Sequence, residues 1–196
     1  MNQDYAFTYA FREGVTTLKS ISRYNGTLNE RLHNWFGDSN GFTTDYCNSF
    51  YGALINDSAY SDPISVLYSN VGEYQGEIVD LKVTAVQWGI VNNDHIGLDG
   101  TKIYPCILFY KDRIAFNTIS VGTVRFQFEF YKHNTGTKIS PKGHVTMADL
   151  DGGQGFRVYD NWGINGLYIR NSYDHLKAET GTSPNGSAYL DLRGAE

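Results

Sequence analysis

The residues best suited to chemistry lie in one acidic, glycine-rich corner, Asp149-Leu-Asp-Gly-Gly-Gln-Gly-Phe-Arg-Val-Tyr-Asp. Asp149, Asp151 and Asp160 fall at positions one, three and twelve of a calcium-loop template, where hard carboxylate oxygens hold Ca²⁺. That template also asks for glycine at its sixth position and a bidentate glutamate at its twelfth. This chain has Gln154 and Asp160 there. The same residues make a tight turn in which Asp149 and Asp151 cap backbone N–H groups, and the turn is the favoured reading. Directly after it comes Asp160-Asn-Trp-Gly-Ile-Asn-Gly. Trp162 offers a flat ring for the apolar face of a sugar, while Asp160, Asn161 and Asn165 can bond hydroxyls and Tyr168 can add a second ring. Trp35 and Trp88 read instead as core residues. Asp149 and Asp160 are also the kind of carboxylate pair a glycosidase holds about 5–10 Å apart. A chain with 21 acidic residues offers many such pairs, so the hydrolase reading ranks last.

Other chemistries lack their residues. The five histidines (33, 95, 133, 144 and 175) show no HExxH or paired spacing, and no nucleophile elbow or phosphate loop is present. Cys47 and Cys106 are the only cysteines. They make one disulfide, worth about 4 kcal/mol on the loop-entropy model, or two buried free thiols. Without a CxxC pair or a Cys/His cluster, a structural zinc site is not expected.

The elements that must position these residues are strands. In Val121–Tyr131, Val124, Phe126, Phe128 and Phe130 alternate with polar side chains, which puts one apolar face on a core. Fifteen Tyr, 11 Phe and 21 Gly suit pleated surfaces and turns. Strands are expected at 5–11, 64–69, 77–91, 102–110, 113–120, 123–131, 144–150, 156–159, 166–170 and 188–192. In the strand 77–91 the apolar face passes from Val79, Leu81, Val83 and Ala85 to Val86, Trp88 and Ile90, which marks a β-bulge near Ala85. Leu28, Leu32, Trp35 and Phe36 stand at helical spacing and Gly37 closes them. A second helix is expected over 45–55, with Thr44 or Asp45 as its cap, and 173–186 reads as loop. The fold expected is all-β and mainly antiparallel, a β-sandwich or jelly-roll-like domain spanning 1–196 with a helical insertion at 28–60. The strand at the very start suggests a piece excised from a longer protein, with Met1 added.

A net charge of −5, from 16 basic and 21 acidic residues, argues against a nucleic-acid surface, because phosphate contacts need a basic stripe. No apolar run reaches about 18 residues, so membrane insertion of this chain is not expected.

Residues 68–88, YSNVGEYQGEIVDLKVTAVQW, and the phenylalanine-rich strand leading into ISPKGHVTMADLDGGQ resemble β-sandwich modules of cell-wall-anchored surface adhesins in Gram-positive bacteria. The resemblance covers roughly residues 64–192; residues 12–60 have no counterpart in it. It implies a non-enzymatic extracellular module that binds a host glycan or an extracellular protein, and that is monomeric when isolated. The alternative is a stalk that only spaces other domains apart. Two family devices are also implied as options. One is a Cys47–Gln87 thioester; the other is an isopeptide bond at Lys82, which needs apolar surroundings that lower its amine pKa. The surrounding residues favour neither.

Overall fold

The computed structural model describes residues 7–55, 63–91, 95–144, 155–159 and 176–194. The chain divides into two compact units, Met1–Val145 and Thr146–Glu196, where one domain over 1–196 was expected for want of a polar linker.

The first unit runs β1 (Phe7–Thr8), β2 (Thr17–Ile21), α1 (Leu28–Phe36), a 3-10 turn at Asp38–Asn40, α2 (Thr44–Asn48), β3 (Phe50–Leu54), β4 (Ile64–Tyr74) and β5 (Glu77–Ile90). It continues through β6 (Cys106–Tyr110), β7 (Phe116–Ile119), β8 (Val121–Lys132), β9 (Lys138–Ile139) and β10 (Gly143–His144). A five-stranded sheet has the order β2-β4-β5-β8-β9, and a three-stranded sheet the order β3-β6-β7. Both are antiparallel; the short pair β1–β10 is parallel.

The phenylalanine strand does what its alternation requires. Phe126, Phe128 and Phe130 stand opposite Ala85, Val83 and Leu81, so one apolar face crosses the sheet. On the same side, Val83 pairs with Val66 and Leu81 with Tyr68. Phe7 from β1, and Ala53, Ile107 and Phe109 from the small sheet, close over this face to form the main core. The result is a sandwich of stacked sheets. The bulge falls where it was expected: Ala85 pairs with Phe126 but Gln87 with Arg125, so Val86 is the extra residue. Trp88 therefore rejoins the inner face and is buried.

The small sheet is apolar on both sides. Ala53, Ile107 and Phe109 face the large sheet, whereas Phe50, Cys106 and Leu108 pack against Leu28, Leu32 and Trp35 of α1 and Cys47 of α2. The helices thus form a third layer. Here the expectation of a helix over 45–55 is corrected: α2 ends at Asn48 and Phe50–Leu54 is a strand. Its cap is Thr43, whose Oγ1 accepts from the Tyr46 N–H at 3.2 Å, rather than Thr44 or Asp45.

The second unit holds β11 (Gly155–Tyr159), β12 (Leu176–Thr182) and β13 (Ala188–Gly194) in the order β11-β13-β12. β12 occupies part of the stretch read as loop. It is a strand because its backbone pairs with β13 along seven residues, Leu176 through Thr182, although Lys177, Glu179, Thr180 and Thr182 are polar. Arg157 stands directly across from Asp191 and grips it with two hydrogen bonds of 2.6 and 2.7 Å. Arg157 also lies over the Tyr189 ring, 3.8 Å from its centroid. The guanidinium holds the Asp191 carboxyl below its ordinary value. A carboxylate with a depressed folded pKa adds stability above its unfolded pKa and loses it as pH falls through the folded one. Amide protection in β11 and β13, taken relative to the intrinsic exchange rate, should therefore fall as pH drops below about 4, the ordinary aspartate value, and Asp191→Asn should remove that step. Protection that does not change with pH in the unsubstituted chain would reject this account.

Candidate functional site

The described part of the molecule carries an apolar cleft where α1 meets the loop after β5. α1 is amphipathic, with Leu28, Leu32 and Trp35 buried, and its exit is set by Gly37. Gly37 has φ 69°, and a Cβ there would lie 2.8 Å from Leu98 Cδ1. Glycine is needed both for the turn and for the close approach of the loop. The Gly37 N–H donates to the His33 carbonyl at 2.8 Å and ends the helix.

The loop 95–103 is held firmly. Ile96 and Lys102 form a bridge, and the Gly97 N–H donates to the Thr101 carbonyl at 2.8 Å. Asp99 Oδ1 accepts from Thr101 N at 3.0 Å and Thr101 Oγ1 at 2.8 Å, which holds the Asp99 carboxyl below its ordinary value. Two bonds tie the loop to the helix: the Leu98 N–H donates to the Trp35 carbonyl at 3.0 Å, and Trp35 Nε1 donates to Thr101 Oγ1 at 2.8 Å. Trp35 is thus a core residue with a satisfied indole, as the sequence reading has it.

That anchoring presents Leu98 at 70% exposure and Ile96 at 62%. Beneath them lies an open cleft of about 450 Å³ lined by Trp35, Phe36, Ile103 and Ile119. Asn40, His95 and Ser120 add the polar groups at its rim. Rigid apolar surface beside a cleft is the usual form of a recognition site.

The residues singled out in the sequence fare differently. Asp149, Asp151, Asp160, Asn161, Trp162, Asn165 and Tyr168 lie outside the described residues, and with them the calcium loop and the sugar platform. Among the described residues no group of three His, Cys, Asp or Glu side chains is placed to hold a metal ion. Cys47 and Cys106 are buried free thiols, the second of the two arrangements that the sequence allows. The Cys47 Sγ points to the Phe42 carbonyl, at 3.6 Å, while Cys106 faces the helices from the middle sheet. Burial raises both thiols, Cys106 to about 12. A thiol-labelling reagent should modify neither in the native chain at neutral pH and both after unfolding. Rapid native labelling, or fewer than two thiols in denaturant, would contradict this arrangement.

The thioester partners do not meet either. Gln87 is exposed on the outer side of β5, whereas Cys47 lies in the helix layer on the far side of the small sheet. Lys82 stands opposite Leu67 and Glu129, so its cross-strand neighbour is a carboxylate rather than an asparagine amide.

One constellation escapes sequence reading altogether. The break in register between Tyr68 and Gly72 leaves Asn70 at φ 57°. Buried Asp80 accepts from the Asn70 N–H at 2.8 Å and holds His133 Nδ1 at 2.7 Å. Arg12 Nη2 and Thr16 Oγ1 both donate to the Asn70 carbonyl at 2.9 Å. Together these bonds staple the bulge. When the chain is compared with protein-family models, with curated proteins and with solved structures, no match is found in any of the three.

Proposed function

We propose that this chain is a non-enzymatic binding module of a cell-surface protein, and that it takes an apolar side chain of a protein ligand in the cleft between α1 and the loop 95–103. The observation that carries this reading is the rigid display of Leu98 and Ile96 beside the cleft. The side chains that stand out beside the cleft, Leu98 and Ile96, are aliphatic, while the Trp35 ring is only 3% exposed and offers little face for a sugar to stack on, so a protein side chain suits the cleft better. The surface setting rests on the resemblance of residues 64–192 to Gram-positive adhesin modules.

Binding of the full chain to a panel of extracellular-matrix proteins and to a glycan array tests the reading, with Leu98→Asp and Trp162→Ala as paired variants. Leu98 is exposed, so the aspartate leaves the core untouched and should weaken protein binding at least about tenfold. Trp162→Ala should leave that binding intact. Glycan binding lost with Trp162→Ala would favour the sugar platform instead, and blank panels would favour the stalk.

A further inference from the structure

We propose that Asn25–Gly26 is a site of spontaneous covalent modification, where the asparagine deamidates through a cyclic imide and alters the entry to α1. Asn-Gly pairs occur at 25, 40, 165 and 185, and the one at 165 lies outside the described residues. Such pairs are reactive because glycine puts no side chain in the way of its own nitrogen. The structure separates the remaining three by where that nitrogen and the asparagine amide are engaged.

At 40 and 185 the nucleophile is occupied. The Gly41 N–H donates to the Asp38 carbonyl at 2.9 Å, and the Gly186 N–H to the Ser183 carbonyl at 2.8 Å. The Asn40 amide nitrogen is also bound, donating to the Phe36 carbonyl at 2.6 Å. Gly26 differs: it is exposed, and its N–H donates to no described residue. Opposite it, Asn25 Oδ1 accepts from Thr27 N at 3.1 Å and Thr27 Oγ1 at 2.7 Å. Two donors on one carbonyl oxygen draw electrons from Cγ and stabilise the charge that develops when it is attacked. Asn185 Oδ1 likewise accepts from Ser183 Oγ and Ser187 N, so a polarised carbonyl occurs at both; only at Asn25 does it meet a glycine N–H that no described residue engages.

The step balances without any oxidant. Hydroxide takes the Gly26 N–H proton, the nitrogen attacks Asn25 Cγ, and an N–Cγ bond replaces the Cγ–Nδ2 bond. Ammonia departs with a proton returned by water. Water then opens the imide at either carbonyl and leaves aspartate or isoaspartate, a gain of about 1 Da. The location gives the change a consequence. The Asn25 N–H donates to the Gly52 carbonyl at 3.1 Å and the Asn25 carbonyl accepts from Leu28 N at 3.0 Å, so this residue ties α1 to β3. Aspartate keeps the acceptor and adds a favourable negative charge beside the helix start. Isoaspartate inserts a methylene into the backbone and displaces it.

Peptide mapping of the full chain during incubation at mildly alkaline pH tests this. Asn25 should convert about three- to tenfold faster than Asn40 and Asn185, whose glycine N–H bonds must first open. Thr27→Val should slow conversion at 25 several-fold and leave the other two unchanged, with the thermal midpoint as a check on folding. The proposal is overturned if Asn40 or Asn185 leads, or if Thr27→Val accelerates conversion. It is equally overturned if none of the three converts while a free peptide of residues 22–29 does.

Discussion

Asp80→Ala should destabilise the first unit by about 2–4 kcal/mol, although residue 80 lies on the outer side of its strand. Outer-face carboxylates are normally cheap to remove. Asp80 is not, because it is 4% exposed and it sits beneath an irregularity in β4. The extra backbone around Asn70 turns an N–H away from the ladder, and Asp80 Oδ1 is its acceptor at 2.8 Å. The same oxygen orients His133, and Oδ2 reaches the Asn134 N–H at 3.5 Å. Alanine leaves these partly buried donors without their acceptor, which costs more than the net worth of the bonds. Asp80→Asn keeps one acceptor oxygen and should cost clearly less. Urea unfolding monitored by tryptophan fluorescence measures both. A loss below about 0.5 kcal/mol for the alanine variant would mean that the bulge holds itself without the carboxylate.

Gly52→Val should cost a similar about 2–4 kcal/mol and detach α1. Gly52 faces the helix layer from β3, paired with Leu108. A Cβ there would lie 2.9 Å from Leu108 Cδ2 and 3.1 Å from Leu28 Cγ, before any γ-methyls are added. Leu28 is fully buried and belongs to the closely packed helix layer, so it has little room to retreat. Because α1 carries Trp35 and Phe36, the cleft should be lost with it. Gly26→Ala is the control, since an added Cβ there meets Tyr24 at an ordinary 3.5 Å. Equal stability of the valine variant and the unsubstituted chain would show that α1 does not rest on β3 as described.

Both variants act where the sequence is hardest to read. β3 (Phe50–Leu54) reads as helix in the sequence because burial on both faces removes the alternation that identifies a strand. β12 reads as loop because Lys177, Glu179 and Thr180 carry no apolar signal, and only pairing with β13 makes it a strand. Asp80 and His133 are 53 positions apart, each unremarkable in its own segment. Trp35 and Leu98 likewise meet only through the fold, so the cleft has no motif.

What the chain's own order of residues determined is the local geometry that repeats. The alternation of Val124, Phe126, Phe128 and Phe130 fixed the inner face of β8, the phase change at Ala85 fixed the bulge, and Leu28, Leu32 and Trp35 with Gly37 fixed α1 and its end. These signals survive because one side of each element meets water and the other does not. The third layer, the staple at Asp80 and the cleft at Leu98 were decided by tertiary structure alone. Each joins segments distant in sequence, and side-chain contacts of that kind leave no period in the sequence that forms them.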